Sequence, residues 1–193
     1  MILIEYLQKN KGERVSDFEQ TLRSIATKLL INPNWLMMVM YFESKLNAQA
    51  VNKQPGDSEN PLERLSKRAV GLIQFMPETA RALGTSSEAL YKMSAIEQLH
   101  YVYGYFKPYT GRIKSFFDLY LITFFPIALG KPDDFVLQTS KIPASTIAKQ
   151  NPVFDANKDG KITVGEIKQR MYKAIPSAVL DEVLSQVEKK SLN

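Results

Sequence analysis

The chain has 193 residues, a formal net charge of +5 and a composition that is 45% hydrophobic and 23% charged, which predicts an ordinary globular protein with a real core. Cysteine is absent, which excludes disulfides, thiolate nucleophiles and cysteine-ligated zinc, and the single His100 cannot form a zinc site alone. Lys and Arg are scattered singly, so the positive charge predicts a basic surface rather than a nucleic-acid site. In the first 20 residues only a few apolar residues precede the charged ones, so neither the apolar core of a signal peptide nor a membrane span is expected there.

Two helices are predicted near the N-terminus. Ser16 is followed three residues later by Glu19, which is the spacing of a capping box and predicts a helix that runs to about Leu30. Asn32 then precedes Pro33, an N-cap followed by a proline in the first helical position. The apolar residues that follow at helical spacing predict a second helix.

A polar stretch at 51–68, rich in Pro, Gly, Asn and Ser, interrupts this pattern and predicts a surface loop. Helical spacing resumes at Pro77, and Gly84 is placed to end that short helix. Two further capping boxes are predicted beyond it, Thr85 with Glu88 and Ser94 with Glu97, the second opening a helix to about Tyr109.

Residues 116–129 are apolar almost all round, which at this length predicts a buried core helix that Gly130 ends. A last amphipathic helix is predicted at about 177–189. Strand signals and internal repeats are absent from the sequence, so the predicted fold class is all-α.

Glu43 stands out as a candidate acid. It follows Tyr41 and Phe42 near the end of the second predicted helix, which is rich in Met and also carries Trp35. Desolvation by such neighbours raises the pKa of a carboxyl group, which then holds a proton near neutral pH. Protonation of a glycosidic oxygen needs an acid of this kind.

Two ordered motifs around Glu43 resemble those of the lysozyme-like lytic transglycosylases. The first is the pair Glu43-Ser44, followed by an Asn and an Ala-Val pair. The second motif is the run Gly71-Leu72-Ile73-Gln74-Phe75-Met76-Pro77, with Thr79-Ala80 and Leu83-Gly84. The resemblance covers roughly residues 20–130 and implies a lysozyme-like helical fold.

By that resemblance, Glu43 protonates the bond between N-acetylmuramic acid and N-acetylglucosamine. It then takes the proton of the sugar's own 6-hydroxyl, which gives a 1,6-anhydro product without a cofactor. The partner is the glycan strand of peptidoglycan. The residues expected to contact it are Ser44, Gly71, Gln74, Tyr101 (or its neighbour Tyr103) and Tyr120.

The chain departs from the family at the third motif, Ala-Tyr-Asn-Ala-Gly. Residues 119–128 stand in its place and contain Tyr120 but no Asn. This departure leaves open a second hypothesis, a non-catalytic structural or calcium-binding module with a lysozyme-like fold, such as one in a phage particle.

A third hypothesis is hydrolysis. An inverting hydrolase needs a second carboxylate, roughly 6.5–9.5 Å from the acid, to activate water. Asp57, Glu59 and Glu63 lie in the polar loop, where relatives of goose-type lysozyme keep theirs. Ordinary solvation of the loop also explains these three residues.

Residues 155–166 match the 12-residue calcium loop of the EF-hand. Oxygen-bearing side chains stand at positions 1, 3 and 5, glycine at 6, an apolar residue at 8 and Glu at 12. The predicted ligands are Asp155, Asn157, Asp159, Glu166 and the carbonyl group of Lys161. Since only one such loop is present, a structural calcium ion is expected rather than a sensor.

The sequence therefore predicts a lysozyme-like catalytic domain at 1–135 and a small helical extension at 136–193 that carries the calcium loop. We expect a monomer that binds peptidoglycan, without nucleic acid or a membrane span. It would act at the cell wall as a phage-encoded or virion-associated product, or reach the wall by another export route.

Overall fold

A computed structural model describes residues 1–7 and 14–184. Over these two ranges the regular structure is helical, with β-pairing limited to isolated bridges, so the all-α prediction is confirmed. The chain divides into two compact units, Met1–Lys114 and Ser115–Asn193. The predicted domain boundary at 135/136 falls inside the second unit and stays a prediction.

The first unit holds six α-helices within its described residues: α1 (Val15–Leu29), α2 (Pro33–Ser44), α3 (Pro61–Arg64), α4 (Pro77–Ala82), α5 (Ser87–Lys92) and α6 (Ala95–Phe106). The described part of the second unit adds α7 (Phe116–Phe124), α8 (Ala144–Gln150) and α9 (Val164–Ala174). Short 3-10 turns lie at Ile4–Tyr6, Lys107–Tyr109, Pro126–Ala128 and Ser177–Val179.

Helix α2 lies in the core of the first unit. The Asn32 side chain accepts a hydrogen bond from the Asn34 N–H at 2.9 Å, which confirms the predicted N-cap. The helix is buried from Trp35 to Met40, and α1 packs against both α2 and α6. It ends after Ser44 because Lys45 adopts a left-handed conformation with φ 54°.

Two predicted capping boxes are wrong and one is confirmed. Helix α1 begins at Val15, so Ser16 lies inside its first turn instead of capping it. Helix α5 is capped by Ser86, one residue later than predicted, because the Ser86 hydroxyl accepts from the Ala89 N–H. Ser94 and Glu97 form the predicted box at the start of α6.

The helix predicted at 116–129 is interrupted. Helix α7 stops at Phe124, and a 3-10 turn follows from Pro126, because a proline disfavours helical geometry in the residue before it and has no N–H to donate. In the helix predicted at 177–189, residues 177–179 form a 3-10 turn and 180–184 are helical, while the remainder lies outside the described residues. In the described ranges, no helix is both long and apolar enough to span a membrane.

The second unit has its own aromatic core. Tyr120 stacks on Phe124 with ring centroids 6.3 Å apart, and Phe154 lies against both rings. Phe116, at the start of α7, extends this cluster. These contacts join α7 to the chain just before the predicted calcium loop.

Candidate active site

Glu43 lies in the last turn of α2 and is half-buried. Burial raises the pKa of its carboxyl group from an ordinary value of 4.5 to about 7. The sequence predicted a raised pKa from hydrophobic neighbours, and burial has that effect here because it removes water that would stabilise the charged carboxylate. A group with this pKa is protonated in a large fraction of molecules at neutral pH and can donate that proton.

The second predicted motif folds into a tight turn beside the residues that follow α2. Val70 and Phe75 pair across this turn through two backbone hydrogen bonds of 3.0 and 2.8 Å. The Gly71 N–H donates to the Ala50 carbonyl at 2.8 Å, and Val51 forms a bridge with Val70. We call residues 70–75 the motif turn.

Ser44 connects the end of α2 to the motif turn. Its hydroxyl lies 3.0 Å from the carbonyl oxygens of both Met40 and Leu72, and the residue is 8% exposed. A serine hydroxyl has a single hydrogen to share between two such acceptors. The geometry therefore assigns Ser44 a structural contact, and its predicted contact with the glycan stays a prediction.

Gln74 and Gly71 both have a positive φ within the motif turn. Gln74 has φ 52°, and its side-chain amide donates to the carbonyl oxygens of Gly71 at 3.1 Å and Ala50 at 3.3 Å. Through these two bonds the Gln74 amide stabilises the motif turn, and its predicted contact with the glycan stays a prediction. Because the residue is half-buried, part of its side chain still reaches the surface.

The three predicted tyrosines have different surroundings. Tyr101, on α6, is half-buried and contacts the His100 ring edge-on at 5.4 Å. The Tyr103 ring lies beneath the amino groups of Lys28 and Lys107. Tyr120 belongs to the second unit and is 7% exposed within its aromatic cluster.

Tyr105 is a neighbour of the acid that sequence reasoning missed. The pKa of its hydroxyl is raised to about 12, chiefly by burial and then by the charges of Tyr109 and Glu43. Its ring meets the Phe75 ring of the motif turn edge-on, with centroids 6.5 Å apart. Tyr105 lies two residues after Tyr103 on the same helix, and no motif in the sequence distinguishes it from the neighbouring tyrosines.

The polar loop after α2 is held by a buried arginine. The Arg64 side chain is 7% exposed and donates to four backbone carbonyl groups of the loop, at 2.6–3.3 Å. These acceptors belong to Val51, Asn52, Ser58 and Glu59. Residues 52–60 are therefore tied to one cation and follow a defined path without a helix or strand, while the rest of the loop predicted at 51–68 contains the short helix α3.

The three carboxylates proposed for hydrolysis are all held in their charged form. Two hydrogen bonds from Arg68, at 2.7 and 2.9 Å, hold the pKa of Asp57 well below its usual range, with help from the Gln54 N–H. The pKa of Glu59 is lowered by Lys53, and that of Glu63 by hydrogen bonds with Ser58 and Asn60. A carboxylate with a lowered pKa is a weak base, which disfavours the activation of water by any of the three.

In the predicted calcium loop, two of the predicted ligand carboxylates accept hydrogen bonds from N–H groups of the loop itself. Asp155 accepts from the N–H groups of Asp159 and Gly160, each at 3.1 Å. Glu166 accepts from the Thr163 N–H and hydroxyl at 2.9 Å and from the Ala156 N–H at 3.2 Å. Within the described residues, no group of three or more His, Asp or Glu side chains is arranged to hold a metal ion.

A half-buried glutamate at the end of a core helix, with a pKa near neutral, is the acid that enzymes of glycoside cleavage require. In a comparison with family models, residues 20–102 are similar to the family described as the transglycosylase SLT domain. The match supports a peptidoglycan-degrading function of the lytic transglycosylase type at the level of the family. Neither the curated proteins nor the solved structures contain a match to the chain.

The matched segment includes Glu43, the motif turn and Tyr101. Tyr120 and the loop at 155–166 lie beyond it. The family comparison therefore bears on the first unit, and on a peptidoglycan substrate, but carries no information on calcium.

Proposed function

We propose that this protein is a lytic transglycosylase that cleaves the bond between N-acetylmuramic acid and N-acetylglucosamine in peptidoglycan, with Glu43 as both acid and base. The observation that carries the proposal is the raised pKa of Glu43, about 7, within the segment similar to the transglycosylase family. The lowered pKa values of Asp57, Glu59 and Glu63 favour a mechanism with one carboxyl group.

In the proposed reaction, the Glu43 carboxyl group gives its proton to the glycosidic oxygen as the bond from that oxygen to the muramic acid C1 breaks. N-acetylglucosamine leaves with the oxygen as a new hydroxyl group. The 6-hydroxyl oxygen of the same muramic acid then bonds to C1, and its proton returns to the Glu43 carboxylate. The cycle consumes no water and restores the protonated acid.

The motif turn supports this reaction as one wall of the proposed site. It is held against the residues that follow α2 by backbone hydrogen bonds and by Ser44, so its position relative to Glu43 is defined before substrate binds. Gln74, Gly71 and Tyr101 remain the proposed glycan contacts in the first unit. Tyr120 is retained as a proposed contact on the basis of the sequence alone.

The test is product analysis in water enriched in oxygen-18. Purified peptidoglycan is incubated with the wild type, with Glu43→Gln and with a matched control, Glu78→Gln, whose side chain is 75% exposed. Mass spectrometry should detect 1,6-anhydro muropeptides without oxygen-18 for the wild type and the control. Glu43→Gln should release none above background, because an amide has no acidic proton to donate.

Two outcomes contradict the proposal. Reducing-end products that carry oxygen-18 would establish a goose-type hydrolase and return attention to Asp57, Glu59 and Glu63. Equal release by the wild type and Glu43→Gln would remove Glu43 from the mechanism. No release by either protein from several wall types would favour the structural module.

We also propose that the loop at 155–166 binds one structural calcium ion. Support comes from its complete set of hard oxygen donors and from Gly160, which adopts φ 78° at the sixth position of the loop. Glu166, which accepts hydrogen bonds from Thr163 and Ala156 in this structure, would supply carboxylate oxygens to the ion. The ion would stabilise the start of α9, with no part in the glycosidic chemistry.

Calorimetric titration with calcium and thermal unfolding with and without a chelator test this second proposal. Calcium at 100 times its Kd should stabilise the folded protein by about 2.7 kcal/mol. Glu166→Gln should lose most of that gain, while Asp181→Asn, an exposed acidic residue outside the loop, should keep it. An absence of binding heat together with an unchanged melting temperature would exclude the site.

A further inference from the structure

Gln98 is a fully buried polar residue in the first turn of α6, with 0% of its surface exposed. Its side-chain nitrogen donates to the carbonyl oxygens of Ala48 at 2.7 Å and Leu90 at 2.8 Å. Its side-chain oxygen accepts from the Leu72 N–H at 2.9 Å. The amide therefore donates both of its hydrogens and accepts at its oxygen, and its three partners lie in three separate segments of the first unit.

Two of these partners lie in segments that adjoin the end of α2, the helix that carries the proposed acid. Ala48 lies in the turn that follows α2, and Leu72 lies at the centre of the motif turn. Leu72 is held on both sides of its Cα atom, since its N–H donates to Gln98 and its carbonyl accepts from Ser44, the residue next to Glu43. A short series of contacts thus runs from Gln98 through the backbone of Leu72 to the end of α2.

The backbone of Gly71 lies directly against the Gln98 side-chain amide. A Cβ atom built on Gly71 would collide with the Oε1 atom of Gln98 and would lie 3.0 Å from its Cδ and Nε2 atoms. The absence of a side chain at Gly71 therefore lets the Gln98 amide reach the backbone of the motif turn. This close approach and the φ of 83° are two structural reasons for a glycine at this position, in addition to the glycan contact proposed above.

We propose that Gln98 is the positioning residue of the active site: its amide fixes the motif turn against the turn after α2, and so sets where the Glu43 carboxyl group meets the glycosidic oxygen. This inference rests on the function proposed above. Gln98 itself does not touch substrate, because it is fully buried. Displacement of a catalytic group by about 1 Å can lower a rate by roughly 100-fold, so a small shift of the motif turn matters.

The experiment compares Gln98→Met with a matched control, Gln49→Met. Gln49 also has a side-chain amide that donates to two carbonyl groups, those of Tyr91 at 3.3 Å and Met93 at 2.7 Å, but neither belongs to the motif turn. Both variants lose an amide and keep an unbranched side chain of similar size. Rates are measured on soluble glycan strands as kcat and KM for the anhydro product, with thermal unfolding to choose a temperature at which each variant is folded.

The positioning role predicts that Gln98→Met lowers kcat by roughly 10- to 100-fold with KM little changed, while Gln49→Met alters kcat less than about threefold. Equal kcat values for the two folded variants would overturn it, because Gln98 would then serve stability alone. If Gln98→Met does not fold, Gln98→Asn keeps the amide on a shorter side chain, and its kcat must fall in the same way. Failure of the proposed function is recognised separately, because the wild type would then form no anhydro product.

Discussion

The hydroxyl oxygen of Ser44 lies 3.0 Å from the carbonyl oxygen of Leu72, 28 residues along the chain. This hydrogen bond joins the residue next to the proposed acid to the centre of the motif turn. Both groups are buried, so the bond has no competition from water. The end of α2 and the motif turn are thereby held as one assembly.

Replacement of Ser44 by alanine should therefore affect both stability and activity. The Leu72 carbonyl group would lose its side-chain partner while remaining buried, at a cost of about 1–3 kcal/mol in the free energy of unfolding. Thr27→Ala is the matched control, since the Thr27 hydroxyl donates only to the Arg23 carbonyl on the exposed face of α1. Denaturant unfolding of both variants measures the difference, and equal losses would contradict a special role for Ser44.

Glu43→Gln should stabilise the protein in a manner that depends on pH. Because the pKa of Glu43 is about 7 in the folded protein and 4.5 ordinarily, the folded state holds the proton more tightly. Stability from this group is complete below about pH 4.5 and is lost as pH rises through 7. Removal of the charge should then add on the order of 2–3 kcal/mol at pH 8 and little at pH 4.

Thermal unfolding of the wild type, Glu43→Gln and Glu78→Gln at these two pH values checks the prediction. The melting temperature of Glu43→Gln should exceed that of the wild type at pH 8 alone. A difference that does not change with pH would mean that burial does not raise the pKa of Glu43.

The ion pair of Asp57 with Arg68 should stabilise the polar loop and take no part in cleavage of the glycan. The pKa of Asp57 is lowered by Arg68, so its stabilising effect is present above its ordinary pKa of 3.8 and is lost as pH falls through the lower folded value. Asp57→Asn should lower the melting temperature at pH 7, with a smaller effect near pH 2. Anhydro products should persist in the variant.

Glu59→Gln serves as the control for Asp57→Asn. Glu59 is 88% exposed and pairs with Lys53 at the surface, where an ion pair contributes about 0–1 kcal/mol. Its melting temperature should stay close to that of the wild type. Loss of all activity in Asp57→Asn, with the fold retained, would instead point to a catalytic carboxylate.

Gly71→Ala and Gly56→Ala separate backbone strain from the contact with Gln98. The two glycines have nearly equal φ values, 83° and 84°, but a Cβ atom on Gly56 meets nothing within 4 Å. Gly56→Ala should therefore cost only the strain of a left-handed residue, about 1–2 kcal/mol. Gly71→Ala should cost about 1–3 kcal/mol more and lower activity, because the Gln98 amide must move.

Chemical denaturation of the two alanine variants gives this comparison directly. Equal destabilisation would mean that the Gln98 amide yields to a methyl group at no cost. The proposed positioning role would then lose its geometric basis.

Local signals in the sequence predicted several helix boundaries. Asn32 with Pro33, and Ser94 with Glu97, start helices as predicted, because each cap is completed by residues within one turn. The box expected at Ser16 is wrong, since α1 starts at Val15, two residues before Asp17, which a cap at Ser16 would make the first helical residue. Such alternatives lie within the ordinary uncertainty of helix ends.

The sequence by itself determined the fold class, the helix that carries Glu43 and the motif that resembles a transglycosylase, since these depend on the order and spacing of neighbouring residues. Only the tertiary structure decided that Asp57 pairs with Arg68 and that Gln98 joins Ala48, Leu72 and Leu90. Hydrogen bonds and desolvation depend on which groups meet in space, and residues 26 and 50 positions apart meet at Gln98. The identity of the candidate acid could therefore be inferred from sequence, while the contacts that hold it in place could not.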